Sequence, residues 1–318
     1  MRGLKWVGVI LAGLLCSGMA WAEEKPKTVE VWKNLFTLTH GEGIDSNTTF
    51  LISNEGVIVV DTRVTPAEAK KVKEDIRKQT QLPILYAINT HYHGDHSFGN
   101  QVFKDTHTII AHENVRKALE GESGQAHLEV FKSFKIPGMD ETVITPPNVI
   151  FKEKMHLYAG EYHLQLVHAP GHTDGDLFIY IETLKTIIAG DLITSGKIPY
   201  MGDAYIEDWI KALNYIADLD AEIYIPGHGD PGGKPLLIAM KHYLIDLRRL
   251  VTFQIEEGRS LKETQDSVRP VLEKKFKKWK KLEWLDDNIK RAYMEFSTKQ
   301  KSYPPSARVA ILANLKLK

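Results

Sequence analysis

The densest group of reactive side chains in the sequence is His91-Tyr92-His93-Gly94-Asp95-His96, which sets four ligand-type groups within six residues. Imidazole nitrogen and carboxylate oxygen together suit divalent cations of borderline to hard character. Gly94 lets the backbone between them turn sharply. A polar turn that merely contained histidines would crowd three imidazoles and a carboxylate to no purpose, so the pattern points to a loop wrapped around metal. Three later segments repeat the theme on a smaller scale: His168-Ala169-Pro170-Gly171-His172-Thr173, Gly190-Asp191 and Pro226-Gly227-His228-Gly229. The isolated histidines His40, His107, His127 and His242 read instead as solvated or hydrogen-bonded side chains.

Each candidate ligand follows an apolar run of strand length. Strands are expected at 28–32, 50–53, 57–60 and 84–88, the last running straight into Asn89-Thr90-His91. Further strands at 163–167, 186–189 and 222–225 precede His172, Asp191 and His228. Val57-Ile58-Val59-Val60 is apolar on both faces, which calls for cover on both sides. Residues 66–78 place Ala69, Val72 and Ile76 near one face of a helix, with Thr65 as cap, Pro66 in the first turn and Glu68 as the capping-box acid. Strand, helix, strand, polar loop is an α/β organisation with functional groups gathered at strand ends. Ligands from four strand ends can meet only if those ends share one rim of a sheet system. After Pro235 the pattern turns helical, at 236–257, at 261–281 with a break or kink at Pro270, and at 286–299 before Pro304-Pro305. The lysine-rich stretch 274–281 carries Leu272, Phe276, Trp279 and Leu282 at helical spacing, a core-facing stripe on a solvated helix rather than a surface for anions.

The N-terminus has the layout of a cleavable secretory signal: Arg2 and Lys5, an apolar run over 7–15, and Ala20-Trp21-Ala22 before the acidic Glu23-Glu24. The run is shorter than the roughly twenty residues that span a bilayer. Cleavage is expected after Ala22, giving a secreted or periplasmic protein with no stable membrane insertion. The single cysteine, Cys16, would leave with the signal, and Leu15 is too bulky for lipoprotein processing. Metal must then be held by nitrogen and oxygen alone. Acidic and basic residues balance over the 318 residues, and loss of Arg2 and Lys5 leaves the mature chain two charges negative. Nothing in that balance points to nucleic acid as a partner. The expected division is a signal at 1–22, a catalytic domain at 23–235 and a helical extension at 236–318.

The ordered set Val59-Val60-Asp61-Thr62, His91 to His96, Gly171-His172-Thr173, Gly190-Asp191 and Gly227-His228 closely resembles the signature of the metallo-β-lactamase superfamily, and the resemblance runs over 29–231. It implies an αβ/βα four-layer sandwich with the metal site at one rim. It also implies one metal on His91, His93 and His172, a second on Asp95, His96 and His228, and Asp191 bridging them, with Asp61 and Thr90 supporting the ligands. Two Zn2+ ions are the default, with iron or manganese as other occupants of the same donors. Diiron relatives that reduce oxygen carry glutamate where this chain has His93, which favours hydrolysis. Two such cations can deprotonate a shared water near neutral pH, and Asp95 is expected to orient the resulting nucleophile.

Asp191 stands where one lactamase subclass has a cysteine thiolate, so the implied substrate is an acyl compound in general: a β-lactam, lactone, ester or thioester. The stretch 196–203 and the segment from there to Gly229 resemble a bacterial branch called quinoprotein relay system zinc metallohydrolases. Substrate contacts are expected from Lys197, Tyr200 and Asp203 and from a rim over 121–147 that includes a short helix at 126–134, while the stretch 38–47 reads equally as a flap over the metals or as an ordinary hairpin connection. A small-molecule hydrolase is the first reading. A metal-binding accessory protein for maturation of a periplasmic redox enzyme is the second, and a nuclease, disfavoured by charge and export, is the third.

Overall fold

The computed structural model describes residues 27–39, 46–104 and 108–298. The expected signal, His40, His107, the middle of the 38–47 stretch and Pro304-Pro305 lie outside the described residues. Seven strands form one sheet in chain order: β1 (Lys27–Trp32), β2 (Leu35–Thr39), β3 (Thr48–Ile52), β4 (Val57–Val60), β5 (Ile84–Ile88), β6 (Ile109–His112) and β7 (Val149–Phe151). Neighbours are antiparallel as far as β4 and parallel from β4 to β7. A second sheet has the order β12-β11-β10-β9-β8, from β8 (Lys154–Ala159), β9 (Tyr162–His168), β10 (Leu177–Ile181), β11 (Thr186–Thr194) and β12 (Ile223–His228).

The period of two along each strand divides its apolar residues between layers. In β4, Ile58 and Val60 join Ile88 and Ile110 in a cluster with Leu164, Leu166, Leu177 and Ile179, so the two sheets meet face to face. Val57 and Val59 turn the other way, onto Ala69, Val72 and Ile76 of α1 (Pro66–Gln79). This helix starts as the sequence requires, with the Thr65 side chain accepting from Glu68 N–H and Pro66 in the first turn. The outer face of the second sheet is covered by α5 (Ile206–Ala217), α6 (Lys234–Glu256), α7 (Leu261–Lys275) and α8 (Leu285–Ser297), which share one apolar cluster with Phe178, Ile187 and Ala189. Helix, sheet, sheet, helix is the expected four-layer sandwich, with helices at its C-terminal end. The remaining helices, α2 (Gly94–Ser97), α3 (Glu113–Glu120) and α4 (Glu122–Ser133), sit near the rim.

Two elements depart from their sequence expectation. Helix α7 runs through Pro270 and ends at Lys275, six residues before the expected end at 281. Lys280 N–H donates to Gly196 O and Ile198 N–H to Lys280 O, both at 2.9 Å, so the chain leaves the helix to pair with the loop after β11. The stripe residues keep their inward direction: Leu272 and Phe276 are buried, and Trp279 and Leu282 pack against the same cluster. Strand β11 continues past Ala189 to Thr194, so Asp191 lies within a strand rather than beyond it. Its ladder with β12 slips at Gly190, which has φ +53°. A bulge of this kind re-aims the side chains beside it, here Asp191.

Candidate metal centre

The strand ends bring the seven candidate ligands together at one rim. His91, His93, Asp95 and His96 follow β5, His172 follows β9, Asp191 lies in β11 beyond its bulge, and His228 ends β12. All seven are buried. His91, His93 and His172 offer nitrogen atoms within 4.8 Å of one another, and so do the donor atoms of Asp95, His96 and His228. Asp191 stands between the two groups, with Oδ2 at 3.3 Å from His172 Nε2 and 3.5 Å from His228 Nε2, and Oδ1 at 3.4 Å from His96 Nε2. Asp95 Oδ2 is 3.2 Å from His228 Nε2.

Neighbouring groups decide which nitrogen of His91, His93 and His96 faces the centre. Asp61 accepts from Thr90 N–H and from the Thr90 hydroxyl, each at 2.8 Å, and from His96 Nδ1–H at 2.7 Å. With its proton committed to Asp61, Thr90 Oγ1 accepts from His91 Nδ1–H at 3.1 Å. His93 Nε2–H donates to Asp203 at 2.8 Å. Lone pairs are therefore left inward on His91 Nε2, His96 Nε2 and His93 Nδ1, and the last lies 2.9 Å from His172 Nε2. Fixing the outer nitrogen in this way is how proteins orient metal-binding histidines.

His91 Nε2, His96 Nε2 and Asp191 Oδ1 are buried without a hydrogen-bond partner among the described residues. Each such group costs about 1–3 kcal/mol if left unpaired. Shared cations would satisfy all three, so the donor set fits divalent metal. The ionisation states agree at every group but His96. Burial alone would raise Asp95 and Asp191, but His96 and His228 beside both, with His172 also beside Asp191, hold the two carboxyls well below their usual range. Burial and the neighbouring imidazoles keep His91 well below its ordinary value, and burial takes His172 down to about 3 against the pull of Asp191. Burial would lower His96 too, yet Asp95, Asp61 and Asp191 together push it well above, so a cation there displaces a proton.

Gly94 and Gly227 are glycines for want of space. A Cβ on Gly94 would stand 2.3 Å from the Phe98 ring, and one on Gly227 would stand 2.0 Å from Asp191 Oδ1. Gly94 is not among the positive-φ residues, so room for Phe98 rather than a special turn explains it. The rim is stitched by the described end of the 38–47 stretch. Asn47 donates to Pro226 O at 2.9 Å and Gly229 O at 2.7 Å, and Ser46 Oγ donates to Asp95 O at 2.6 Å.

The three expected substrate contacts fall in different places. The Tyr200 ring lies edge-on to His93, with centroids 5.7 Å apart, and 6.1 Å from Trp284 of the extension. Lys197 is half-buried, with its ammonium 6.0 Å from the Trp284 ring, and Lys281 approaches the same ring at 5.6 Å. Burial pulls the Lys197 ammonium down to about 8 against Asp191 and Asp95, which pull it up. Asp203 faces His93 rather than open space, so its carboxylate holds a ring of the centre. His127, expected as an ordinary solvated or hydrogen-bonded histidine, takes a place beside the centre instead. It is buried, stacked on His93 with centroids 4.7 Å apart, and its Nε2 stands 3.8 Å from Asp203 Oδ2. Only the expected helix at 126–134, seen as α4, hinted that this segment covers the rim.

Fold and centre together define a metallohydrolase of the two-sheet sandwich type. The model of the metallo-beta-lactamase superfamily matches residues 41–228, and the chain belongs to that superfamily, a group of metal-dependent hydrolases. It is 25% identical over 253 residues to a type 2 metallo-beta-lactamase of Elizabethkingia meningoseptica, covering 72% of this chain and 90% of that protein. Among solved structures it resembles the metallo-beta-lactamase family protein TTHA1429 from Thermus thermophilus, with TM-score 0.59, 21% identity, and coverage of 75% of this chain and 88% of that one. It also resembles a metallo-beta-lactamase from Pontibacter korlensis, with TM-score 0.56, 17% identity, and coverage of 70% and 99%. The family match ends at His228, so α6, α7 and α8 lie beyond it.

Proposed function

We propose that the protein is an exported dinuclear zinc hydrolase that cleaves an acyl bond, in a lactam, lactone, ester or thioester, of a small anionic substrate. The observation that carries this reading is the inward set of lone pairs, with the outer nitrogens of His91, His93 and His96 committed to Thr90, Asp203 and Asp61. His91, His93 and His172 would hold one cation, Asp95, His96 and His228 the other, and Asp191 both. Zinc bound there supplies Lewis acidity, lowering the pKa of water and drawing electrons from the bond to be cleaved.

The remaining steps belong to side chains. Asp95, ionised between His96 and His228, accepts a hydrogen bond from the attacking water and fixes its approach. Lys197, with no ion pair among the described residues, supplies positive charge for an anionic group of the substrate, and Tyr200 and Trp284 wall that side. The stable imidazole and carboxylate geometry spares the enzyme reorganisation as charge develops.

The test is metal analysis of the purified protein alongside a panel of lactam, lactone, ester, thioester and phosphoester substrates. About two zinc ions per chain and chelator-sensitive acyl hydrolysis are expected, with a mature N-terminus at Glu23 in the exported protein. A fully metal-loaded protein inert to the whole panel overturns the reading.

A further inference from the structure

A second convergence of imidazole nitrogens lies away from the rim, on the β8–β9 hairpin. The pairing register sets Tyr158 opposite His163 and His156 opposite Gln165. Alternation then places these four side chains on one face of the hairpin, while Leu164 and Leu166 point into the core between the sheets. His156 is exposed and His163 half-buried. His156 Nδ1 and His163 Nε2 stand 2.7 Å apart. Tyr158 stacks on His163 at 4.5 Å with an 8° interplanar angle, which restricts that ring before any ligand arrives.

Two ring nitrogens aimed at each other at this distance repeat what the metal centre shows for His93 Nδ1 and His172 Nε2 at 2.9 Å. A lone hydrogen bond between neutral imidazoles needs a proton on one of the two facing nitrogens. Moving that proton to the far, solvent-facing side of its ring leaves two lone pairs converging on one point. We propose that His156 and His163 form a separate surface site for a borderline divalent transition cation, with Cu2+ the preferred occupant and water completing its coordination. Copper is favoured because imidazole suits it and because it heads the affinity order for nitrogen donors among first-row divalent ions. The site shares no residue with the seven-ligand centre, and it stands whether or not that centre hydrolyses acyl bonds.

The experiment titrates zinc-saturated protein with Cu2+ at neutral pH, following heat, the copper electron paramagnetic resonance spectrum and zinc content together. The expected result is one copper bound with zinc retained and with two nitrogen donors in the spectrum. His156→Ala and His163→Ala should each weaken that binding by about a hundredfold, the loss expected when a second tethered contact is removed. His242→Ala, which removes an exposed histidine from α6, should leave it unchanged, and all four proteins should keep the same hydrolytic activity. Equal copper affinity in all four proteins, or copper uptake only in exchange for zinc, overturns the proposal.

Discussion

Asp61 has φ +61°, a left-handed backbone that asparagine also tolerates, and its two oxygens serve three donors around Thr90 and His96. Asp61→Asn therefore keeps the backbone while placing an amide where the His96 proton needs an acceptor. Metal affinity should fall about 10–100-fold, the range for removing a ligand's hydrogen-bond partner, as measured by competition with a chromogenic chelator. An unchanged affinity would show that Asp61 does not orient His96. Lys197 supplies a second residue-scale prediction. Its value of about 8 means that the ammonium is charged below that pH and lost above it. KM for an anionic substrate should rise as pH passes through about 8 in the wild type, and Lys197→Ala should raise KM at lower pH and flatten the profile. The same rise in both proteins would assign the effect elsewhere. The candidate ligands were legible in the sequence because four of them crowd into six residues directly after an apolar run, and His172, Asp191 and His228 each stand beside a glycine at or soon after another. The partners of His93 were not, since Asp203 lies 110 residues away and His127 approaches from a helix whose pattern carries no metal signal.

At the scale of elements, strands and helix α1 followed from periodicity and capping, which are local properties. The end of α7 did not, because Phe276 and Trp279 keep helical spacing after the helix stops. Tertiary contacts decide that boundary: the two rings pack at a tilt with centroids 4.8 Å apart, both lie against the Tyr243 ring, and Lys280 pairs with the loop at Gly196. The bulge at Gly190 was equally hidden, since it depends on the slipped pairing of β11 with β12. Leu272 of α7 is fully buried in the cluster that joins the extension to the second sheet. Leu272→Ala should cost about 2–5 kcal/mol in urea unfolding, as core leucine truncations do. A loss under about 1 kcal/mol, the range of surface substitutions, would mean that α7 is only loosely attached. The same substitution should also raise KM if packing of α7 holds Trp284 in place.

Across the whole molecule, the centre joins both sheets, and its His91 Nε2, His96 Nε2 and Asp191 Oδ1 are buried with no hydrogen-bond partner among the described residues. Metal that binds the folded chain and not the unfolded one stabilises it by mass action, by about 2.7 kcal/mol at a hundred times the dissociation constant. Chelation should therefore lower Tm, and Tm of the metal-free protein should climb with added zinc; a Tm indifferent to both would remove the coupling between site and fold. The α/β organisation and the shared rim of strand ends were legible from the sequence pattern, whereas the pairing of two sheets was implied only by the resemblance to the metallo-β-lactamase superfamily. The clamp from Asn47 to the loops around His228 was legible from neither, as it joins residues 179 and 182 positions apart.

Trp209 is fully buried, donates its indole N–H to Leu192 O at 3.0 Å, and lies edge-on to His172 with centroids 5.5 Å apart. An indole held rigidly that close to a ligand ring is a built-in optical probe. With an ion on His172, as proposed, Trp209 emission should answer to its electronic character, so exchange of a closed-shell ion for an open-shell one should be visible as light, in real time, without a substrate or a label.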